Sequence, residues 1–222
     1  MARQGDLGTA IAQKDWLVPE KVLYSGRYVD LEPLSQAHAP DLASAATAAS
    51  QSFTYLRYGP FSHLNEIQDL IADLANRPLQ PFWAVTPNGE KSQGWLSICD
   101  VYQTDGSIEI GSIWFAPTLQ GTRAAREAIF LLMCHAMDDL GYERLVWRCQ
   151  AQNSKSYKAA ENLGFTYEGT WRKAAVVDGW QRDVAWFSIL KEEWAVRKDA
   201  LAKWLSPENF DVTGRQINRL GS

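Results

Sequence analysis

The spacing of apolar residues divides the chain into strand-like and helix-like stretches. Alternation at every second position predicts seven strands, at about 27–33, 81–86, 93–101, 107–115, 144–149, 166–177 and 180–190. Spacing of three and four residues predicts five helices, at about 36–49, 63–76, 121–140, 154–163 and 192–205. Helices spread among the strands in this way predict an α+β fold of three layers, with helices on both faces of a central sheet.

Turn residues between the strands indicate that much of this sheet is antiparallel. Pro87-Asn88-Gly89 and Thr104-Asp105-Gly106 join three strands into a meander, and Asp178-Gly179 is a hairpin signal between the last two. We expect an N-terminal extension over 1–26, one domain over 27–191, and a C-terminal helix and tail over 192–222 that pack on the domain.

Composition excludes several classes of protein. The formal net charge of −4 gives no electrostatic footprint for nucleic acid or an anionic membrane surface. Three widely separated cysteines without a CxxC pair, and three histidines without partners at ligand spacing, predict neither a disulfide framework nor a metal site. Without a signal-like or membrane-spanning apolar run, we expect a cytoplasmic protein that binds neither membrane nor nucleic acid.

The segment 108–128 carries the clearest chemistry in the sequence. A strand ends at Pro117, a short polar turn follows, and a long amphipathic helix begins. Free N–H groups and the positive end of the helix dipole make such a junction an anion site, which Arg123 and Arg126 can strengthen. Because Gly121 lacks a Cβ, the turn can approach a phosphate closely. The alternative is an ordinary strand-to-helix connection with solvated arginines.

This stretch resembles the acyl-CoA motif of the GNAT acetyltransferase superfamily, a Gln/Arg-x-x-Gly-x-Gly/Ala turn that cradles a pyrophosphate. Gln120, Gly121 and Ala125 match it, whereas Arg123 stands where the family has its middle glycine. Downstream, Asn153 and Ser156 match an Asn-x-x-Ser pattern, and Leu-Gly-Phe follows at 163–165. Asn153 is also a plausible helix N-cap, which explains part of the second match without a ligand.

The resemblance covers about residues 26–190 and implies a GNAT-type mixed, largely antiparallel sheet of about seven strands. It implies acetyl-CoA as co-substrate, without a metal. Ile108-Glu109-Ile110-Gly111 and Arg182-Asp183 look most like the RimJ/RimL-type branch, which acetylates protein N-termini. The cofactor contacts that it implies are Phe115, Ala116, Gln120, Gly121, Thr122, Arg123, Ala124, Ala125, Arg126, Asn153 and Ser156.

In this family an amine attacks the thioester directly where two strands splay apart, and a backbone N–H polarises the carbonyl. The tyrosine that many members use as general acid is replaced by Ala160. Tyr157, one helical turn earlier, is a candidate acid or a packing residue. Glu109 is the candidate base, or else a solvated or ion-paired strand residue.

Two functions therefore stay open at the level of sequence. The first is an N-acetyltransferase whose acceptor is a protein N-terminus, a peptide or a small-molecule amine. The second is a non-catalytic acyl-CoA-binding or interaction module, which the departures at Arg123 and Ala160 favour. The resemblance also allows a homodimer.

Overall fold

A single eight-stranded sheet organises the computed structural model, which describes residues 8, 10–12 and 14–218. The strands are β1 (Tyr24–Ser25), β2 (Val29–Pro33), β3 (Phe82–Pro87), β4 (Gly94–Tyr102), β5 (Ser107–Phe115), β6 (Arg144–Gln150), β7 (Thr166–Val177) and β8 (Trp180–Leu190). The helices are α1 (Ala39–Thr47), α2 (Leu64–Asn76), α3 (Arg123–Cys134), α4 (Ser154–Asn162) and α5 (Lys191–Leu205). The spatial order of the strands is β1-β2-β3-β4-β5-β6-β8-β7.

As predicted, the sheet is mixed and largely antiparallel. Strands β5 and β6 pair in parallel, and the other neighbouring strands pair antiparallel. It contains one strand more than the seven expected, since β1 lies in the predicted N-terminal extension and pairs with β2. The hairpin between β7 and β8 turns at Asp178 and Gly179, both with positive φ, of 50° and 78°. Those angles fit the turn that an Asp-Gly pair favours.

The parallel pair opens into a cleft after a short stretch of contact. Pairing between β5 and β6 covers Ser107 to Glu109 on one strand and Arg144 to Val146 on the other. Beyond Glu109, β5 stays paired with β4 as far as Phe115, whereas β6 stays paired with β8 as far as Gln150. The two halves of the sheet therefore diverge from Glu109 onwards.

Apolar clusters cover both faces of the sheet. One face packs against α3 and α5, with residues such as Ile110 and Phe187 in its core. The other packs against α1 and α2 and includes Trp95 and Trp114, whose ring centroids lie 4.5 Å apart. Because each of these tryptophans is at most 2% exposed, they belong to the core.

Helix α3 begins two residues later than its apolar pattern suggests. Thr122 is its N-cap, and the Thr122 hydroxyl accepts a hydrogen bond from the Ala125 N–H at 3.1 Å. The helix ends in a π-helical turn, His135–Asp139, followed by Gly141 at φ 65°. A short turn over residues 116–122 joins β5 to α3, and the first turn of α3 lines the cleft.

The segments outside the predicted domain pack on it. The Trp16 indole, 3% exposed, donates to the Gly141 carbonyl at 2.7 Å. Helix α5 lies along α3, where Trp194 faces Phe130 at a centroid distance of 6.4 Å. No helix in the described part of the chain has both the length and the apolarity needed to cross a membrane.

Candidate active site

An open cavity of about 1640 Å³ follows the cleft between β5 and β6. It runs from the first turn of α3, past Glu109, to the inner side of β8. Its walls include most of the cofactor contacts expected from the sequence: Phe115, Gln120, Gly121, Thr122, Ala125, Arg126, Asn153 and Ser156. One continuous cavity thus joins the predicted phosphate end to the predicted chemical end.

The turn before α3 has the backbone that an anion site requires. Gly121 has φ +77°, which favours glycine, and a Cβ added there would meet nothing within 4 Å. Within the described residues, no backbone carbonyl accepts a hydrogen bond from the N–H groups of Gly121, Arg123 and Ala124. Free donors at the positive end of a helix dipole can bind the oxygens of a pyrophosphate.

The Gln120 side chain ties the turn to both walls of the cleft. Its Nε2 donates to the Phe115 carbonyl at 2.9 Å, and its Oε1 accepts from Lys155 Nζ at 3.3 Å. Lys155, on α4, also lines the cavity, and the sequence did not single it out. It adds a positive charge across the cleft from the turn.

The Phe115 N–H, at the end of β5, faces the cleft. The Ala116 N–H donates to the Gln93 carbonyl at 2.8 Å, on the side away from β6. Since N–H directions alternate along a strand, Phe115 points its N–H to the open side. The expectation that Ala116 supplies a backbone contact is therefore corrected, because its N–H is used and its carbonyl accepts from Leu119 and Gln120.

The two α4 residues expected from the sequence lie on the opposite wall. Asn153 caps α4, with its Oδ1 accepting from the Ser156 N–H at 3.1 Å. The Ser156 hydroxyl accepts from the Trp147 indole at 3.1 Å. Asn153 is therefore a helix cap, as one of the two readings predicts, and it also lines the cavity. Its contact with a cofactor stays a prediction.

The two arginines of the α3 first turn are placed differently. Arg126 lines the cavity, whereas Arg123 and Ala124 do not. The Arg123 guanidinium lies between the Tyr28 and Phe210 rings, 4.6 and 4.7 Å from their centroids. Arg123 is the first residue of α3, and the positive φ of the turn lies at Gly121, two residues earlier.

Glu109 lies at the vertex of the cleft, where pairing between β5 and β6 ends. Its side chain is buried and forms an ion pair with Arg148 Nε from β6. Arg148 also pairs with Asp100 and lies 4.8 Å from the centroid of the Trp186 ring. Gly111 gives the carboxylate room, because a Cβ there would come within 2.8 Å of Glu109 Oε1.

Burial raises the pKa of Glu109 from its ordinary 4.5 to about 7, although the Arg148 charge acts in the opposite direction. Asp100 adds to the rise by repulsion. A carboxyl with a pKa near neutrality can both take up and release a proton under physiological conditions. Sequence reasoning found Glu109 but missed Arg148 and Asp100, which come from two other strands.

Comparison with known proteins identifies this architecture. The model of the acetyltransferase (GNAT) domain matches residues 29–166, which is more than half of the chain. The chain belongs to the GNAT acetyltransferase family. A solved GCN5-related N-acetyltransferase from Brucella melitensis is 39% identical with a TM-score of 0.90, and the match covers 93% of this chain and 95% of that one.

Two further GNAT relatives extend the comparison. A solved structure described as a probable acetyltransferase of the GNAT family from Chromobacterium violaceum is 31% identical, with a TM-score of 0.79, over 88% of this chain and 98% of that one. The Bacillus subtilis protein named "Putative ribosomal N-acetyltransferase YdaF" is 30% identical over 47% of this chain. The match spans only 57% of the length of YdaF.

The position at which many GNAT enzymes carry a tyrosine as general acid is occupied here by a buried alanine. Ala160 is fully buried in the core. Tyr157 is not part of the cavity wall, since its ring packs edge-on against Phe187 at a centroid distance of 4.7 Å. This placement fits the packing alternative, and we assign no proton transfer to Tyr157.

The far end of the GNAT cleft is bridged by the segment between α1 and α2. The Tyr55 hydroxyl donates to the Gln152 carbonyl at 3.2 Å, and Arg182 Nη1 donates to the Tyr55 carbonyl at 3.1 Å. Tyr58 lines the same end and accepts from the Trp95 indole at 3.0 Å. In the described ranges, no group of three or more His, Cys, Asp or Glu side chains is arranged to hold a metal ion.

Proposed function

We propose that the protein transfers an acetyl group from acetyl-CoA to a primary amine in the cleft between β5 and β6. The main support for this proposal is that one cavity contains three features: the open turn at Gly121, the Phe115 N–H and the buried carboxyl of Glu109. Membership of the GNAT family supports the same reaction and the same co-substrate.

In this proposal the cofactor extends along the cavity from α3 to Glu109. Its pyrophosphate binds the free N–H groups of the Gly121 turn, between Arg126 and Lys155. Its pantetheine arm follows β5 past Asn153 and Ser156. The thioester then lies near the Phe115 N–H, which can donate to the carbonyl oxygen as negative charge develops there.

The chemical step needs a neutral amine and a route for one proton. The amine nitrogen attacks the thioester carbonyl, so that an N–C bond forms and the C–S bond breaks. Glu109 takes the proton from the nitrogen, directly or through a water, and then returns it to the departing thiolate. A pKa of about 7 suits both roles, because the carboxyl is partly ionised and partly protonated near neutral pH.

The acceptor is a protein N-terminus, a peptide or a small-molecule amine. An α-amino group, with a pKa near 8, is partly neutral at pH 7, so a single weak base such as Glu109 is sufficient for it. The name of the relative "Putative ribosomal N-acetyltransferase YdaF" supports the protein N-terminus as one arm of a substrate screen. A homodimer and a cytoplasmic location stay predictions.

The test is release of free thiol from acetyl-CoA across a panel of peptides with free N-termini, amino acids and polyamines. We expect turnover with at least one class, and Glu109→Gln should lower kcat by roughly 10²- to 10⁴-fold. Glu168→Gln is the matched control, because Glu168 is also a strand carboxylate paired with an arginine, Arg144, but lies outside the cavity. Its kcat should stay within about twofold of wild type.

The pH dependence separates a proton-transfer role from a structural one. The kcat/KM of the wild type should rise with pH through about 7, as Glu109 ionises. Glu109→Gln should lose that rise and keep only the dependence that comes from the amine. Equal pH profiles for the two proteins would refute Glu109 as the base, and CoA binding without thiol release from any amine would leave a binding module.

A further inference from the structure

Two arginines at the start of α3 contact aromatic rings instead of carboxylates. The Arg126 guanidinium lies 3.8 Å from the centroid of the Trp204 ring, and Arg123 lies between Tyr28 and Phe210. Among the described residues, no carboxylate comes within salt-bridge distance of either arginine. Two unpaired cations at the positive end of a helix dipole are unfavourable by themselves.

The acidic side chain of α3, Glu127, does not neutralise the positive charges of Arg123 and Arg126. Glu127 accepts hydrogen bonds from the backbone N–H groups of Arg27 and Tyr28, at 3.0 and 2.6 Å. Helix α3 has no acidic residue in its first turn. The positive charge of Arg126, which lines this end of the cavity, is therefore left available for an anionic ligand.

The rings that hold the arginines come largely from the C-terminal segment, which we define as residues 204–218. Trp204 lies in the last turn of α5, and Phe210 follows a short 3-10 turn. The Phe210 ring packs edge-on against Trp204 at a centroid distance of 5.1 Å. The segment is folded back on itself, because Asn209 is buried and donates to the Trp204 carbonyl at 3.0 Å. The Trp204 indole donates to Gln216 Oε1 at 3.1 Å.

We propose that the C-terminal segment is part of the cofactor site, with Trp204 as a positioning residue that holds Arg126 against the phosphates of CoA. Arg123, in the place of the family's middle glycine, anchors the segment through Tyr28 and Phe210. This inference rests on the proposed function. A guanidinium held over a ring keeps its charge and loses little further freedom when an anion binds.

The experiment measures CoA binding by calorimetry for wild type, Trp204→Leu and Trp194→Leu. Trp194 is the matched control, because it is a second buried tryptophan of α5 but faces Phe130 and no arginine. We expect Trp204→Leu to raise the Kd for CoA about tenfold, as the loss of one desolvated cation–π contact implies. Trp194→Leu should leave the Kd within about twofold of wild type.

Salt dependence supplies a readout that loss of packing would not move. The Kd of wild type should rise steeply with ionic strength, and that of Trp204→Leu less steeply, since one charged contact is lost. Arg126→Gln should raise the Kd in the wild-type background and have little further effect in Trp204→Leu. If Trp204→Leu does not fold, Phe210→Leu, which alters a half-buried ring, should raise the Kd through loss of the anchor.

Two failures are distinguishable. Absence of CoA binding by the wild type would overturn the proposed function itself. Tight binding by the wild type, with an unchanged Kd and salt slope in Trp204→Leu, would overturn only the role of the C-terminal segment. Equal rises in Trp204→Leu and Trp194→Leu would also overturn it, because a general loss of packing would then account for both.

Discussion

Replacing Glu109 by Gln should change how the stability of the protein depends on pH. In the unfolded chain the carboxyl titrates near its ordinary pKa of 4.5, and in the folded protein near about 7. Below 4.5 the group is protonated in both states, so ionisation contributes nothing. As pH rises from 4.5 to about 7, the unfolded state loses its proton first and is favoured relative to the folded state.

The size of this effect follows from the two pKa values. A rise from 4.5 to about 7 corresponds to a loss of about 3 kcal/mol in the free energy of unfolding once the pH exceeds 7. Gln cannot ionise, so the variant lacks this loss. The free energy of unfolding of the wild type, minus that of Glu109→Gln, should therefore fall by about 3 kcal/mol between pH 4.5 and 7.5.

The difference between the two proteins isolates Glu109 from other titrating groups. The charged neighbours Asp100 and Arg148 are present in both, and their ion pair does not need Glu109. Burial raises the pKa of the Cys99 thiol well above its usual range, so this neighbour stays protonated throughout. Urea unfolding followed by tryptophan fluorescence gives both free energies, because the chain has ten tryptophans.

A flat difference would refute the reasoning. It would mean that Glu109 has an ordinary pKa in the folded protein, with the Arg148 charge offsetting the whole cost of burial. A difference that grows with pH would mean that the Arg148 ion pair stabilises the ionised form outright. In either case Glu109 would not be a base tuned to neutral pH, and the proposed proton route would fail with it.

Three further variants test separate parts of the site. Gly121→Ala should cost about 1 kcal/mol of stability because of its positive φ, and should also weaken CoA binding in calorimetry. The control Gly141→Ala, at φ +65°, should lose as much stability and leave CoA binding unchanged. Equal CoA binding by the two variants would contradict the Gly121 turn as a phosphate site. Asn153→Ala should lower the free energy of unfolding, measured in urea, by about 1 kcal/mol through loss of the α4 cap, whereas Asn153→Asp should retain most of the stability. An unchanged stability of Asn153→Ala would contradict the cap. Arg148→Met should move the acidic limb of the pH profile of kcat/KM above pH 7, because it removes the cation that lowers the pKa of Glu109. An unchanged limb would show that Arg148 does not affect the pKa of Glu109.

Features that depend on neighbours in sequence could be predicted from the chain alone. The Gln120–Gly121 turn, the Asp178–Gly179 hairpin and the cap at Asn153 each rely on local backbone chemistry. Positive φ at Gly121, Asp178 and Gly179 confirms that chemistry. The largely antiparallel sheet followed from the same turn signals.

Features that depend on strand register could not be predicted in this way. Arg148 meets Glu109 because β6 runs parallel to β5 for three residues before the two strands diverge. A register shift in β4 and β5 between Trp95 and Ser97 also changes which residues of β5 face the cleft. Nothing in the local sequence specifies that shift.

The roles of Ala116 and Arg123 depended on contacts with distant segments. The Ala116 N–H is taken by Gln93, a partner set by the pairing of β4 with β5. Arg123 turns toward Phe210, which lies more than 80 residues along the chain and outside the segment that resembles the family. Tertiary packing therefore decided both, as it decided the edge-on packing of Tyr157 on Phe187.

The most direct test of the central claim is a crystal structure of the protein with acetyl-CoA bound. We predict the pyrophosphate on the N–H groups of the Gly121 turn, the thioester carbonyl within hydrogen-bond distance of the Phe115 N–H, and the acetyl group facing Glu109. Cofactor bound away from the cleft, or bound with its thioester distant from both Phe115 and Glu109, would contradict the account.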